Sequence, residues 1–154
     1  MIAIELPDEA ATAALAARVA RLVRQGDVIA LKGELGAGKT SFARAFIRAR
    51  IGHDEEVPSP TFTLVQPYEL PDLPIWHFDG YRLRHPEEAW DLGIEDAFRD
   101  GISLIEWPER FGSLIPIRRL EITLQHGAAP EGRRAIIDPG PGWASRLAPL
   151  TAEA

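Results

Sequence analysis

The 154-residue chain contains no cysteine, which excludes disulfide bonds and metal sites built from thiolates. No apolar run approaches the roughly 18 residues that a membrane-spanning helix requires. Residues 1–5 lack the basic segment and the long apolar stretch of a secretory signal. A cytoplasmic protein with no membrane segment is therefore expected.

Asparagine is also absent, so the guanine-reading N-K-x-D motif of small GTPases cannot occur in this chain. Lysine occurs only at Lys32 and Lys39, and arginine supplies the other 15 cationic side chains. The formal net charge is −6 and the isoelectric point is near 5.2. This acidic balance predicts that any contact of this chain with a nucleic acid is indirect or minor.

Hydrophobic residues make up 45% of the chain, which is enough for a core at this length. No linker or internal repeat interrupts the sequence. One domain over residues 1–154 is therefore predicted, with a short helix or a frayed tail after about residue 139.

The most informative motif is GELGAGKT at residues 33–40, which fits the G-x-x-x-x-G-K-[ST] pattern of a phosphate-binding P-loop. Its glycines allow the backbone amides to approach phosphate oxygens closely, at the positive end of the following helix. Lys39 is predicted to reach the β- and γ-phosphates, and the Thr40 hydroxyl to bind Mg²⁺. A chance match is the alternative, but an apolar strand before the loop and a helix after it favour a nucleoside triphosphate site.

The remaining sequence alternates between strand and helix patterns, which predicts an α/β fold. It is expected to be a P-loop NTPase-like, mostly parallel sheet flanked by helices, with a late antiparallel pair of strands. The predicted helices are residues 7–25, 39–50 and 86–100, the last broken at Gly93. The predicted strands are residues 28–32, 61–65, 75–79, 102–106, 119–125 and 133–138.

Two carboxylates, Asp79 and Glu106, each end a predicted strand. The carboxyl ends of parallel strands line the ligand crevice of such sheets, so both side chains are expected near the nucleotide. Capping of the next helix is the alternative for either residue alone. With a P-loop present, a role in holding the metal or positioning water is favoured for at least one of them.

Four further segments occur in a specific order around the P-loop: PDE at 7–9, SPTFTLV at 59–65, HFDGYRL at 77–83 and EWP at 106–108. Together with the P-loop they resemble the TsaE (YjeE) family over roughly residues 7–137. The resemblance implies a bacterial P-loop ATPase needed to make threonylcarbamoyladenosine beside the anticodon of tRNAs. It implies ATP and Mg²⁺ as ligands, and weak hydrolysis that partner proteins stimulate.

The resemblance also implies roles for individual residues. Thr40 and Glu106 are expected to bind Mg²⁺, and Asp79 to act as a Walker-B-like acid that positions water or holds the metal through water. Thr61 is expected to sense the γ-phosphate in a switch-like loop. The implied nucleotide-binding positions are Glu9, Leu35, Gly36, Ala37, Gly38, Lys39, Thr40, Trp107 and Arg133.

By the same resemblance, the expected partners are TsaD, which transfers the threonylcarbamoyl group, and its paralogue TsaB. A nucleotide-dependent switch acting on these proteins is the predicted function, with a small P-loop metabolite kinase as the alternative. One departure from the family pattern is Gly80, which stands where a bulkier residue is usual. This glycine predicts a looser backbone after Asp79.

Overall fold

The computed structural model describes residues 1–52, 57–58, 60 and 63–152. Within these residues a seven-stranded mixed sheet has the order β1-β7-β6-β2-β5-β4-β3. The strands are β1 (Ile2–Leu6), β2 (Val28–Lys32), β3 (Val65–Tyr68), β4 (Ile75–Asp79), β5 (Ile102–Glu106), β6 (Leu120–His126) and β7 (Arg133–Pro139).

Four strands, β6, β2, β5 and β4, form the parallel centre of the sheet. The pairs β6–β7, β7–β1 and β4–β3 are antiparallel and extend the sheet at both sides. The predicted α/β fold, with its parallel core and its late antiparallel pair β6–β7, is therefore confirmed.

The helices are α1 (Glu9–Ala20), α2 (Lys39–Ile51), α3 (Glu88–Asp91), α4 (Ile94–Asp100) and α5 (Ala148–Ala152), with 3₁₀ segments at Pro108–Leu114 and Ser145–Leu147. Helix α1 begins after Asp8, whose side chain accepts a hydrogen bond from the amide of Ala11 at 2.8 Å. It ends at Ala20, five residues before the predicted end at residue 25. No helix among the described residues is both long and apolar enough to cross a bilayer.

Alternate residues of the central strands enter two apolar clusters on opposite faces of the sheet. Ile29 and Leu31 pack with α1 and α2, including Phe42 of α2. Val28 belongs to the second cluster, together with residues of α3, α4 and the first 3₁₀ segment such as Phe111. Burial on both faces explains why β2 is a continuous apolar run.

The strand predicted at residues 61–65 is misplaced. Thr61 and Phe62 lie outside the described residues, while Thr63 and Leu64 form a turn in which Leu64 has φ = +69°. Strand β3 begins only at Val65 and continues through Pro67. Proline is tolerated there because β3 lies at the edge of the sheet and pairs only with β4.

The C-terminal segment packs on the rest of the chain. Trp143, Leu147 and Leu150 are buried in the α1–α2 cluster. Arg146 forms a two-pronged ion pair with Asp27, with N–O distances of 2.7 and 2.9 Å. These contacts attach the segment to the turn that precedes β2.

Candidate functional site

The P-loop connects the central strand β2 to α2, so its backbone amides meet at the carboxyl edge of the sheet. Gly36 and Gly38 have φ values of +79° and +105°, which strongly favour glycine. At Gly33, with φ = +142°, a Cβ atom would lie 2.4 Å from the Leu124 carbonyl oxygen. The glycine positions of the motif thus follow from backbone conformation and close approach.

Lys39, the first residue of α2, is folded back against its own loop. Its ammonium group donates hydrogen bonds to the carbonyl oxygens of Gly33 at 2.6 Å and Glu34 at 2.8 Å. The same group lies 4.2 Å from the centroid of the Trp107 ring, a cation–π contact. Burial lowers the pKa of Lys39 below its usual value, although the nearby carboxylates, Glu106 first among them, act to raise it.

Glu106 ends β5 and is almost fully buried, at 2% exposure. The Thr40 hydroxyl donates a hydrogen bond to its Oε1 at 2.9 Å. Its other oxygen, Oε2, lies 2.6 Å from Nε2 of His77, which is fully buried on β4. Each oxygen of the carboxylate therefore has a separate protein partner.

Asp79 ends β4 and is the direct register partner of Glu106 across the parallel β4–β5 pair. Its Oδ1 accepts a hydrogen bond from the amide of Tyr81 at 2.9 Å. Asp79 is 3% exposed, and it borders the same cleft as Glu106. The two strand-end acids, which are 27 residues apart in the sequence, therefore stand side by side at the P-loop.

The residues after these two acids form an aromatic wall beside the loop. Trp107 has φ = +56°, an uncommon value for a residue with a side chain, and its ring lies 5.1 Å from that of Tyr81. The expectation of a loose backbone at Gly80 is wrong. The Gly80 amide donates to the Glu106 carbonyl at 3.0 Å, and the residue packs directly against Phe111.

Arg133, the first residue of β7, reaches the P-loop from the opposite side. Its Nη1 donates to the carbonyl of Gly132 at 2.7 Å, and its Nη2 lies 3.4 Å from the carbonyl oxygen of Gly36. The side chain also passes 3.5 Å from the position that a Cβ atom on Gly38 would occupy. Arg133 thus adds a cationic wall to the loop.

These groups enclose one cleft of about 260 Å³. Nine of the predicted site residues line it: Leu35, Gly36, Gly38, Lys39, Thr40, Asp79, Glu106, Trp107 and Arg133. Ala37 is buried beneath the loop at 1% exposure and does not line the cleft. Thr61 lies outside the described residues.

Glu9 lies in a second groove, of about 350 Å³, formed by α1 and α2. Arg44 and Arg48 border this groove as well. Ser41 borders both the groove and the P-loop cleft, so the two spaces meet at the first turn of α2. The structure therefore places Glu9 beside the phosphate site rather than in it.

The donor set at Thr40 and Glu106 fits Mg²⁺ that is bound together with a nucleotide. No group of three or more His, Asp or Glu side chains in the described ranges is arranged to hold a metal ion alone. The Thr40 hydroxyl and one oxygen of Glu106 meet in the cleft beside the P-loop. Mg²⁺ commonly binds such a pair of protein ligands when phosphates and water complete its coordination shell.

His77 appears in the sequence analysis only as part of the HFDGYRL segment, and its pairing with Glu106 was not predicted. The sequence signal for a place near the site was the two-residue spacing between His77 and Asp79, because residues two apart on a strand lie on the same face. His77 thus lies on the same face as Asp79, next to β5. Tyr81, from the same HFDGYRL segment, was not among the predicted site residues, yet it lines the cleft.

A family model described as "Threonylcarbamoyl adenosine biosynthesis protein TsaE" matches residues 6–136. Several relatives carry the name tRNA threonylcarbamoyladenosine biosynthesis protein TsaE. The Rickettsia felis protein is 39% identical over 120 residues, 78% of this chain and 70% of that protein. The Bacillus subtilis protein is 37% identical over 126 residues, 81% of this chain and 77% of that protein. The Haemophilus influenzae protein is 47% identical over 90 residues, 58% of this chain and 56% of that protein.

The fold is similar to that in a crystal structure of YdiB from Bacillus subtilis, with a TM-score of 0.81 and 27% sequence identity. The alignment covers 99% of this chain and 95% of that protein. Similarity over almost the whole chain means that the edge strands and the C-terminal segment, as well as the P-loop core, have counterparts there.

Proposed function

The chain belongs to the TsaE family, whose members act in tRNA threonylcarbamoyladenosine biosynthesis, and from this premise we propose that it binds and hydrolyses ATP with Mg²⁺ in that process. The observation that carries the proposal is the convergence of Lys39, Thr40, Asp79 and Glu106 on one cleft. A cation, a metal-binding hydroxyl and two carboxylates are the groups that phosphoryl-group hydrolysis requires.

The phosphates bind at the P-loop amides, with Lys39 paired to the β- and γ-phosphates. Thr40 and Glu106 hold Mg²⁺, which neutralises charge on the phosphates. Asp79 either positions the attacking water or holds the metal through water, and the geometry is compatible with both roles. Arg133 borders the same cleft and adds positive charge beside the phosphates.

The ribose and base extend towards the groove that contains Glu9. This direction is supported by Ser41, which lines both the phosphate cleft and the α1–α2 groove. Ser41 lies one residue after the proposed Mg²⁺ ligand Thr40, at the N-terminus of α2. A nucleotide that leaves the loop along this turn of helix enters the groove directly.

In this proposal the chain is a cytoplasmic switch that acts on TsaD and TsaB and makes at most minor contact with tRNA. Trp107 reports the state of the nucleotide, since its ring contacts Lys39 and its backbone follows the proposed metal ligand Glu106. Thr61 is the proposed γ-phosphate sensor. Hydrolysis by the chain alone is slow, and the partners accelerate it.

The site is tested with Lys39→Ala, with Lys32→Ala as the matched control because Lys32 is the only other lysine. Calorimetric titration should show ATP binding weakened about 10- to 100-fold by Lys39→Ala, since a charge-assisted pair is lost. Lys32→Ala should bind ATP like the unchanged protein. Equal affinity in all three proteins would contradict the assignment of the P-loop.

The reaction is tested with Glu106→Ala, which should reduce Mg²⁺-dependent hydrolysis more than it reduces ATP binding. The switch role is tested by adding a TsaD–TsaB complex and measuring ATP hydrolysis together with multiple-turnover tRNA modification. The unchanged chain should hydrolyse ATP faster with the complex than alone, and the complex should modify tRNA faster with the chain than without it. A phosphorylated metabolite formed at ordinary kinase rates would instead support the kinase alternative.

A further inference from the structure

His77 is a buried, chemically active side chain to which the proposed function assigns no role. It lies in the middle of β4, opposite Leu104 of β5, and it is fully buried. Its Nε2 atom lies 2.6 Å from Glu106 Oε2, a distance that requires a shared proton between the two atoms. The neighbouring positions on this face, Ile75 and Ile102, are apolar core residues.

The other ring nitrogen shows that this histidine is not an ordinary core residue. Among the described residues Nδ1 is buried and has no hydrogen-bond partner. Buried polar atoms are normally paired, and an apolar side chain at this position would leave none unpaired. Within the described part of the chain, the one side-chain hydrogen bond of His77 is directed at Glu106, so we interpret the residue through that bond.

The hydrogen bond with His77 gives the two carboxylate oxygens of Glu106 different partners. Oε2 is held by His77, and Oε1 faces Thr40 at 2.9 Å. With one oxygen fixed, the carboxylate cannot rotate about its last bond, and it presents a single oxygen beside the Thr40 hydroxyl. Carboxylates that bind metals are commonly oriented in this way by a second protein group.

We propose that His77 is a positioning residue that orients Glu106 as a one-oxygen ligand for Mg²⁺ next to Thr40. This inference rests on the metal-binding role of Glu106 in the proposed function. His77 itself does not contact the metal or the nucleotide, and its contribution is the orientation of one carboxylate. It therefore affects Mg²⁺ binding more than binding of the nucleotide alone.

Two amide substitutions separate this role from simple packing. In His77→Gln the side-chain amide nitrogen is as many bonds from Cβ as Nε2, so the donor to Glu106 is retained. In His77→Asn the nitrogen corresponds to Nδ1 and cannot reach Glu106. Both variants place a neutral amide in the same buried position, and a melting experiment on each verifies that it folds.

Mg²⁺ affinity is measured by titrating the metal into each protein saturated with a non-hydrolysable ATP analogue. His77→Asn should weaken Mg²⁺ binding about 10- to 100-fold, while His77→Gln should remain within about threefold of the unchanged protein. Binding of the analogue in EDTA should be the same in all three proteins. Equal Mg²⁺ affinity in the folded His77→Asn protein would overturn the proposal.

A spectroscopic measurement tests the bond without metal or nucleotide. Nitrogen-edited NMR of the free chain should show a proton on Nε2 that exchanges slowly with water. Glu106→Ala should shift this resonance and accelerate its exchange, and an Nε2 proton that does not respond to Glu106→Ala would contradict the proposal. If His77→Asn does not fold, His77→Phe replaces it in the Mg²⁺ titration, and the same outcomes apply.

Glu106→Ala, which removes both carboxylate oxygens, distinguishes failure of this inference from failure of the proposed function. If Glu106→Ala leaves Mg²⁺ affinity unchanged, the metal-binding role of Glu106 is wrong and the inference about His77 falls with it. If Glu106→Ala weakens Mg²⁺ binding but His77→Asn does not, only the positioning role is overturned.

Discussion

Gly80 lies directly after β4, beneath the segment that carries Trp107, and its replacement by alanine tests how tightly this wall of the site is packed. A Cβ atom there would lie 2.7 Å from Phe111 Cε2, 2.8 Å from the Trp107 carbonyl oxygen and 3.0 Å from Arg110 Cβ. All three distances are shorter than ordinary van der Waals contact. Gly80 does not adopt a left-handed conformation, so the effect of alanine is steric rather than torsional.

The loss of stability caused by Gly80→Ala depends on which of these atoms can move. The Phe111 ring belongs to a buried cluster and has little free space, and the Trp107 carbonyl is backbone held by the left-handed turn at that residue. Adding one methyl group to a packed site of this kind costs about 1–3 kcal/mol of the free energy of unfolding. For a chain of this size the melting temperature should fall by about 2–12 °C.

Urea unfolding followed by tryptophan fluorescence measures this loss. Gly132→Ala is the matched control, because Gly132 also lies outside the left-handed region and its nearest contact to an added Cβ is 3.3 Å. In a Phe111→Leu background, Gly80→Ala should lower the free energy of unfolding by less than it does in the unchanged chain, because the contact with the Phe111 ring is relieved. Part of the loss should persist, because the contact with the Trp107 carbonyl remains. A Gly80→Ala protein within about 0.5 kcal/mol of the unchanged chain would refute the reasoning.

Two further pairs of substitutions test the attachment of the C-terminal segment and the shape of the loop. Arg146→Ala removes a two-pronged pair with Asp27, whose side chains are only 14% and 11% exposed, and should lower the free energy of unfolding in urea by about 2–4 kcal/mol. Asp72→Ala, which breaks a pair whose carboxylate is 71% exposed, should change it by less than about 1 kcal/mol. Gly33→Ala should reduce ATP affinity in a calorimetric titration more than Gly36→Ala, because only Gly33 has a backbone oxygen of β6 within 2.4 Å of the added atom. Equal losses in either comparison would contradict the packing described for that region.

The central strands were predictable from the sequence because both of their faces are buried. In β2, β4 and β5 almost every residue faces a helix or another part of the core, so each strand is a short apolar run between polar turns. Their ends at Lys32, Asp79 and Glu106 coincide with the predicted ends. Helix α2 was equally clear, since the P-loop motif specifies where it begins.

The edge strands were not predictable in the same way. Strand β1 alternates between partly buried and exposed positions up to the buried Leu6, and it pairs with β7, more than 120 residues later in the chain. Strand β3 contains Pro67, which local patterns assign to a turn and which is permitted only because one side of this strand is unpaired. Both strands depend on distant partners that a local pattern does not contain.

The candidate site likewise has one part that a local pattern predicts and another part that depends on distant contacts. Residues 33–40 are contiguous, so the motif predicts their arrangement directly. The contacts of Glu106 with Thr40 and His77 instead depend on the register that sets Asp79 beside Glu106. The contact of Trp107 with Lys39 depends on a left-handed residue that no sequence pattern indicates.

The groups proposed to bind the ligand are already engaged with one another, and this bears on how much affinity the site can provide. Lys39 donates to two loop carbonyls and lies against Trp107, while Thr40 donates to Glu106. A bound phosphate or metal must replace these contacts, so only the difference between the new and the old interactions contributes to binding. The existing contacts also hold the side chains close to the positions in which they are proposed to act, which reduces the ordering that binding requires. The site is therefore preorganised in geometry while its net affinity is limited by internal competition, as the proposed nucleotide-dependent switch requires.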